Sequence, residues 1–263
     1  MTETTPLDAA HIAMTSAQDD DAARLRFYER LADSEIFLLL EEEAEGDQIR
    51  PETFDVADGS FVLAFDREDR LARFAGRPAP YAALSGRGVV QMLAGQGIGL
   101  GVNLDVAASS ILIPAEAVTW LHQILGQAPD AVEDRIAVVS APVGLPEALI
   151  TALDTKLATA VGLAASAYLV GVTYENGTRG HLLGFVDARD GAEQSLAKAA
   201  GEALTFSGIE AGAMDVAFFA ASDPISASMA AQGLRFDLPQ PTSEQMQVQA
   251  APGSDPDKPP ILK

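Results

Sequence analysis

A chain of 263 residues, 48% hydrophobic and only 6% aromatic, is long enough for one large or two medium globular domains with interiors built mainly from Ala, Val, Leu and Ile. Its 17 Lys and Arg against 38 Asp and Glu give a formal charge of −21, with 16 acids and 4 bases in residues 1–60; that sign disfavours nucleic acid and anionic membrane, serves solubility, and in its sharper reading selects a basic protein partner. The lack of cysteine excludes disulfides, thiolate catalysis and cysteine-held metal sites.

The first helix is expected over Pro6 to Met14. Asp19, Asp20 and Asp21 then supply a cap for a second, in which Leu25, Tyr28, Leu31 and Ala32 recur at three- and four-residue spacing. These acids stand where a secretory leader would need a basic start and an apolar run, so a cytoplasmic protein is expected. Ile36 to Leu40 (IFLLL) reads as a strand covered on both faces, and the acidic stretch Glu41 to Asp47 as a solvated loop. Thr53 to Val56 and Phe61 to Phe65 form a hairpin around Asp58-Gly59. Asp66 is the expected N-cap of a helix that carries Leu71 and Phe74 and stops near Gly76. Tyr81 to Leu84 is a short strand, Ser85 caps a helix through Leu93, and Ile98 to Leu104 and Ser110 to Ile113 are strands. Pro114 opens a helix to about Leu125.

Polar, aperiodic residues follow, and a second unit starts with a strand over Arg135 to Ser140. Leu149, Leu153 and Leu157 stack on one face of a helix from Pro146 to about Ala160. The nearly uncharged stretch Leu157 to Val172 is shorter than the roughly 20 residues of a membrane span and reads as a helix end running into a buried strand. Ala165 to Tyr174 and His181 to Val186 make a hairpin across Glu175-Asn176-Gly177. A helix over Ala192 to Phe206, a strand over Asp215 to Phe219, a helix over Pro224 to Ala231 and a strand near Leu234 to Phe236 complete the unit. The expected architecture is α+β: two small domains, each a largely antiparallel or mixed sheet with flanking helices. Residues 1–127 form the first with a helical N-terminal extension, 128–134 the linker and 135–238 the second. A Pro-, Gln- and Ser-rich tail, 239–263, is expected to be mobile.

Three segments, FDVADGSFVLAFDREDRLARFAG at 54–76, PYAALSGRGVVQMLA at 80–94 and GLGVNLDVAASSILIPAEAVTWL at 99–121, resemble the N-terminal domain of the SseB family. AYLVGVTY at 167–174 and GHLLGFVD at 180–187, ahead of a helix and the DVAFF strand, are similar to that family's C-terminal domain. The resemblance spans about residues 25–237, implies the two-domain fold, and brings no catalytic residue, cofactor or substrate with it.

The residues themselves offer little chemistry. His11, His122 and His181 include no pair at the i, i+4 metal spacing, and no serine stands in a G-x-S-x-G elbow. Gly95, Gly97, Gly99 and Gly101 alternate at a helix end and in the following strand, the reverse of the strand-to-helix order of a dinucleotide site. Ser85, Gly86, Arg87 and Gly88 do follow a strand and open a helix, whose free N–H groups could take an anion with Asn103 as a neighbour; a plain Ser N-cap is the simpler account. The leading expectation is therefore a non-enzymatic binding or adaptor protein without cofactor, using an exposed sheet edge. A small-molecule or anion sensor at Ser85 to Gly88 is the alternative, and an unrecognised hydrolase the third.

Overall fold

A computed structural model describes residues 4–17, 19–44, 49–57, 59–126, 135–208 and 214–241. The N-terminal half runs α1 (Pro6–Ser16), α2 (Asp21–Asp33), β1 (Glu35–Leu39), β2 (Thr53–Val56), β3 (Gly59–Phe65), α3 (Glu68–Ala75), β4 (Tyr81–Ser85), α4 (Gly86–Leu93), β5 (Ile98–Val102), β6 (Ile111–Ile113) and α5 (Ala115–Gly126). The C-terminal half follows with β7 (Ile136–Ser140), α6 (Glu147–Leu157), β8 (Ser166–Tyr174), β9 (Arg179–Val186), α7 (Glu193–Phe206), β10 (Asp215–Phe219), α8 (Pro224–Gln232) and β11 (Leu234–Asp237).

Local chemistry sets the helix starts. Thr5 forms a capping box with Asp8 ahead of α1, the Asp20 carboxylate accepts the Ala22 N–H at 2.9 Å ahead of α2, and the Ser85 hydroxyl accepts the Gly88 N–H at 3.1 Å ahead of α4. Asp66 does not cap α3 as its position suggested. The cap is Arg67, and the Asp66 carboxylate turns inward to Arg70.

Both sheets are mixed. The first has the order β4-β1-β3-β5-β6, with β2 alongside β3; β3 and β5 are parallel and the other pairs antiparallel. Val56 pairs with Gly59, which puts Gly59 inside β3, while residue 58 of the expected turn lies outside the described residues. The second has the order β10-β9-β8-β11, with β7 also on β8; only β9 and β10 run parallel, joined across α7. A hairpin whose second strand then pairs in parallel with a later one recurs in both halves, as β2-β3…β5 and β8-β9…β10.

Each sheet buries both faces. On the first, Ile36, Leu38, Val62, Ala64, Leu100 and Val102 meet α1, α2, α4 and α5, and the reverse face packs Leu39, Leu63 and Phe65 against Leu71 of α3. On the second, Ala167, Leu169, Leu183 and Phe185 meet α6 and α7, and Val170, Val172 and Leu182 meet Met229 of α8. The interiors are not separate: Phe206 of α7 is fully buried in the core of the N-terminal half. Such a ring contributes about 1.5–3 kcal/mol by leaving water.

The proposed linker, 128–134, and most of the tail lie outside the described residues. The first residues of the tail, 239–241, lie against the second half. The Pro239 carbonyl accepts the Gly162 N–H at 2.8 Å, and the Gln240 amide donates to the Ala164 carbonyl at 2.9 Å.

Candidate functional site

The predicted anion-binding residues are committed to the fold. Gly86 N–H donates to the Ser34 carbonyl at 2.8 Å, and a Cβ on Gly86 would collide with the Leu31 backbone of α2. Glycine there allows α4 to approach α2 this closely. The Arg87 guanidinium reaches Asp33 of α2 at 2.6 Å and grips both oxygens of Glu202 of α7 at 2.8 and 2.6 Å. Asn103 is not a neighbour. It follows β5, three strand spacings (about 14 Å) across the sheet from β4.

Around Arg87 the two halves share a cluster of charges. Lys156 of α6, its side chain 4% exposed, lies 2.6 Å from Asp33, 3.1 Å from Glu202 and 3.4 Å from Glu29. Two cations thus face three carboxylates. Burial works against the Asp33 and Glu202 carboxylates, but their contacts with Lys156 and Arg87 outweigh it and hold both below the usual range. At Glu29 burial wins: it pushes the carboxyl up, Lys156 pulls it partly back, and Asp33 adds to the rise. The bonds to Glu202 raise Arg87 above its ordinary value.

A second buried network fastens α1 to the end of the first sheet. The Asp8 carboxylate accepts bonds from Arg70, Ser109 and the Thr5 N–H, and Arg70, 1% exposed, also donates to Asp66 at 2.8 Å. Asn103 belongs here. Its carbonyl accepts the Asp66 N–H at 3.1 Å and its amide donates to the Ser109 hydroxyl at 2.8 Å. Burial alone would raise Asp8, but the bonds from Arg70, Ser109 and Thr5 hold it well below the carboxylate range.

The histidines lie apart. His11 is buried edge-on to Phe27, His122 sits in α5, and His181 Nε2 is 3.0 Å from the Val143 carbonyl. Among the described residues no three His, Asp or Glu are grouped to hold a metal, and no helix is long and apolar enough to cross a membrane. The described residues line two open clefts of note. One, about 550 Å³, lies between α1 and α2 on one side and α6 on the other, lined by alanines such as Ala13 and Ala148 together with Arg26 and Glu29. The other, about 500 Å³, is lined by Phe37 of β1 and by Asp66, Arg67, Glu68, Asp69 and Ala72 at the start of α3.

Beside this second cleft lies a sheet edge that is open among the described residues. β4 ends its sheet, pairing with β1. In that ladder Leu40 N–H donates to the Pro80 carbonyl and Gly86 N–H to the Ser34 carbonyl. Because facing pairs alternate in an antiparallel ladder, Ala82 and Leu84 also turn their backbone groups toward β1, and Tyr81 and Ala83 turn theirs outward; the Ser85 carbonyl, at the N-cap, already enters the α4 ladder. Tyr81, 37% exposed, meets Phe37 edge-on at 5.6 Å, and the neighbouring Glu68 carboxylate, with Glu43, pushes its pKa up.

The alternating glycines serve packing. Gly95 and Gly97 adopt positive φ in the turn after α4, and a side chain on Gly99 or Gly101 would strike Phe61 or Leu63, which lie across β5. Sequence reasoning missed Lys156, Glu202, Glu29 and the Asp8–Arg70 pair. For Lys156 a signal existed: it sits three residues after Leu153 on the apolar stripe of α6, where a charge demands a partner.

Residues 7–120 match the family model described as the SseB protein N-terminal domain. No curated protein and no solved structure matches the chain.

Proposed function

From the premise that the chain belongs to the SseB family by its N-terminal domain, we propose that it is a non-enzymatic, cytoplasmic adaptor that docks an extended segment of a partner protein. The observation that carries this reading is the edge of β4, unpaired among the described residues, where Tyr81 and Ala83 offer outward backbone donors and acceptors beside a cleft. A strand added there gains main-chain hydrogen bonds for affinity and alternate side-chain positions for specificity. The two buried charge clusters support the same reading, since their residues are spent on holding elements together. The sensor alternative draws no support from Arg87, whose guanidinium is bound by two carboxylates.

Ala83→Pro tests the proposal, because it deletes an outward N–H and leaves the ladder to β1 intact. Full-length wild type should retain a reproducible partner from native cell extract, and the variant, folded to the same melting temperature, should lose it. A partner kept equally by both proteins would refute docking at β4.

A further inference from the structure

We propose that the segment docked on β4 is basic, and that one of its Lys or Arg side chains crosses the Ala83 methyl group toward Phe37 and the carboxylates at the start of α3. This rests on the strand-docking reading and adds the chemistry of the partner.

Alternation places the side chains of Tyr81, Ala83 and Ser85 on one face of β4, and Ala83 pairs with Phe37 of β1. Between a tyrosine and a serine, the alanine forms a low point. A strand lying about 4.8 Å outside β4 turns every second side chain to this face, so a long one opposite Ala83 can pass over the methyl group into the cleft. What it meets there favours a cation. Phe37 and Tyr81 present aromatic surface, which attracts ammonium and guanidinium groups. Glu68 is exposed and lines the cleft, and its carboxylate offers roughly four acceptor sites to an incoming donor. Glu43 acts on Tyr81 through its charge. The cleft's own cation, Arg67, is held by Asp69 at 2.8 Å. An acidic segment would meet repulsion here, and so would a second copy of a chain of net charge −21 that brought its own Glu68 and Glu43 to the same edge.

A phage library of random heptapeptides, panned on the full chain and counter-selected against Ala83→Pro, tests this. The recovered sequences should share Lys or Arg at one fixed position. The best synthetic peptide should bind about tenfold more weakly when that residue becomes Ala, or when the protein carries Glu68→Lys. N-methylation of alternate backbone amides in the peptide should abolish binding, which tests strand addition without altering the protein. Peptides that depend on Ala83 but show no basic position would overturn this inference and leave the docking reading standing. Failure to recover peptides, or recovery of peptides indifferent to Ala83→Pro, would overturn both. A concentration-dependent dimer dissolved by Ala83→Pro would make a second copy the occupant and overturn the basic-segment inference.

Discussion

Replacing Lys156 with Met keeps most of the side chain's bulk and removes its charge from the centre of the junction between the halves. Lys156 Nζ serves Asp33, Glu202 and Glu29 within 3.4 Å, and the side chains of Lys156, Glu202 and Glu29 are all under one-tenth exposed. Breaking a buried ion pair by deleting one partner costs about 3–5 kcal/mol, because the other charge is left uncompensated. Arg87 still holds Glu202 and Asp33, and Asp33 is one-fifth exposed, so the lower end, about 3 kcal/mol, applies. For a chain of this size that corresponds to a fall of roughly 6–12 °C in melting temperature. Because the cluster and Phe206 join the halves, their unfolding should also separate. Trp120, the single tryptophan, reports the N-terminal half by fluorescence, and far-UV circular dichroism reports both. The two signals should coincide in wild type and diverge in Lys156→Met. A variant within about 0.5 kcal/mol of wild type, the range of ordinary surface substitutions, would refute the buried cluster.

Glu29→Gln should reshape the pH dependence of stability. The folded protein holds the Glu29 proton more tightly than the unfolded chain does, so that contribution is present below the ordinary carboxylate value and is lost as pH rises through the raised folded value. Urea unfolding of wild type and Glu29→Gln should agree near pH 4, at about the reference value for glutamate, and the variant should be the more stable at neutral pH. Gly99→Ala should destabilise by about 1–3 kcal/mol, since its methyl group would displace Phe61; thermal melts of the purified protein measure this.

The fold was largely legible because helices and strands leave local marks. Leu149, Leu153 and Leu157 marked α6, Asn176-Gly177 marked the β8–β9 turn with Gly177 at φ 86°, and Ser85 marked the start of α4. Element ends shifted by a few residues, since terminal turns depend on contacts from elsewhere, as when Gly162 and Ala164 secure Pro239 and Gln240. The site was less legible. Arg87 looked available to an anion because Glu202, its partner at 2.6 Å, stands 115 residues away on another helix. The sequence leaves Asn103 as a possible neighbour of Ser85, but strand order, which it does not display, sets them three strand spacings apart. Which edge of a mixed sheet stays open is likewise a property of topology: a strand such as Tyr81–Ser85 reads the same whether one side or both are paired.

Amide hydrogen exchange along β4 in the full-length protein tests the open edge most directly. Ala82 and Leu84, bonded to β1, should exchange slowly, whereas Tyr81 and Ala83 should exchange fast in the free protein and become protected when a selected basic peptide is added. Slow exchange at Tyr81 and Ala83 in the free protein, or no added protection with the peptide bound, would contradict strand docking at this edge.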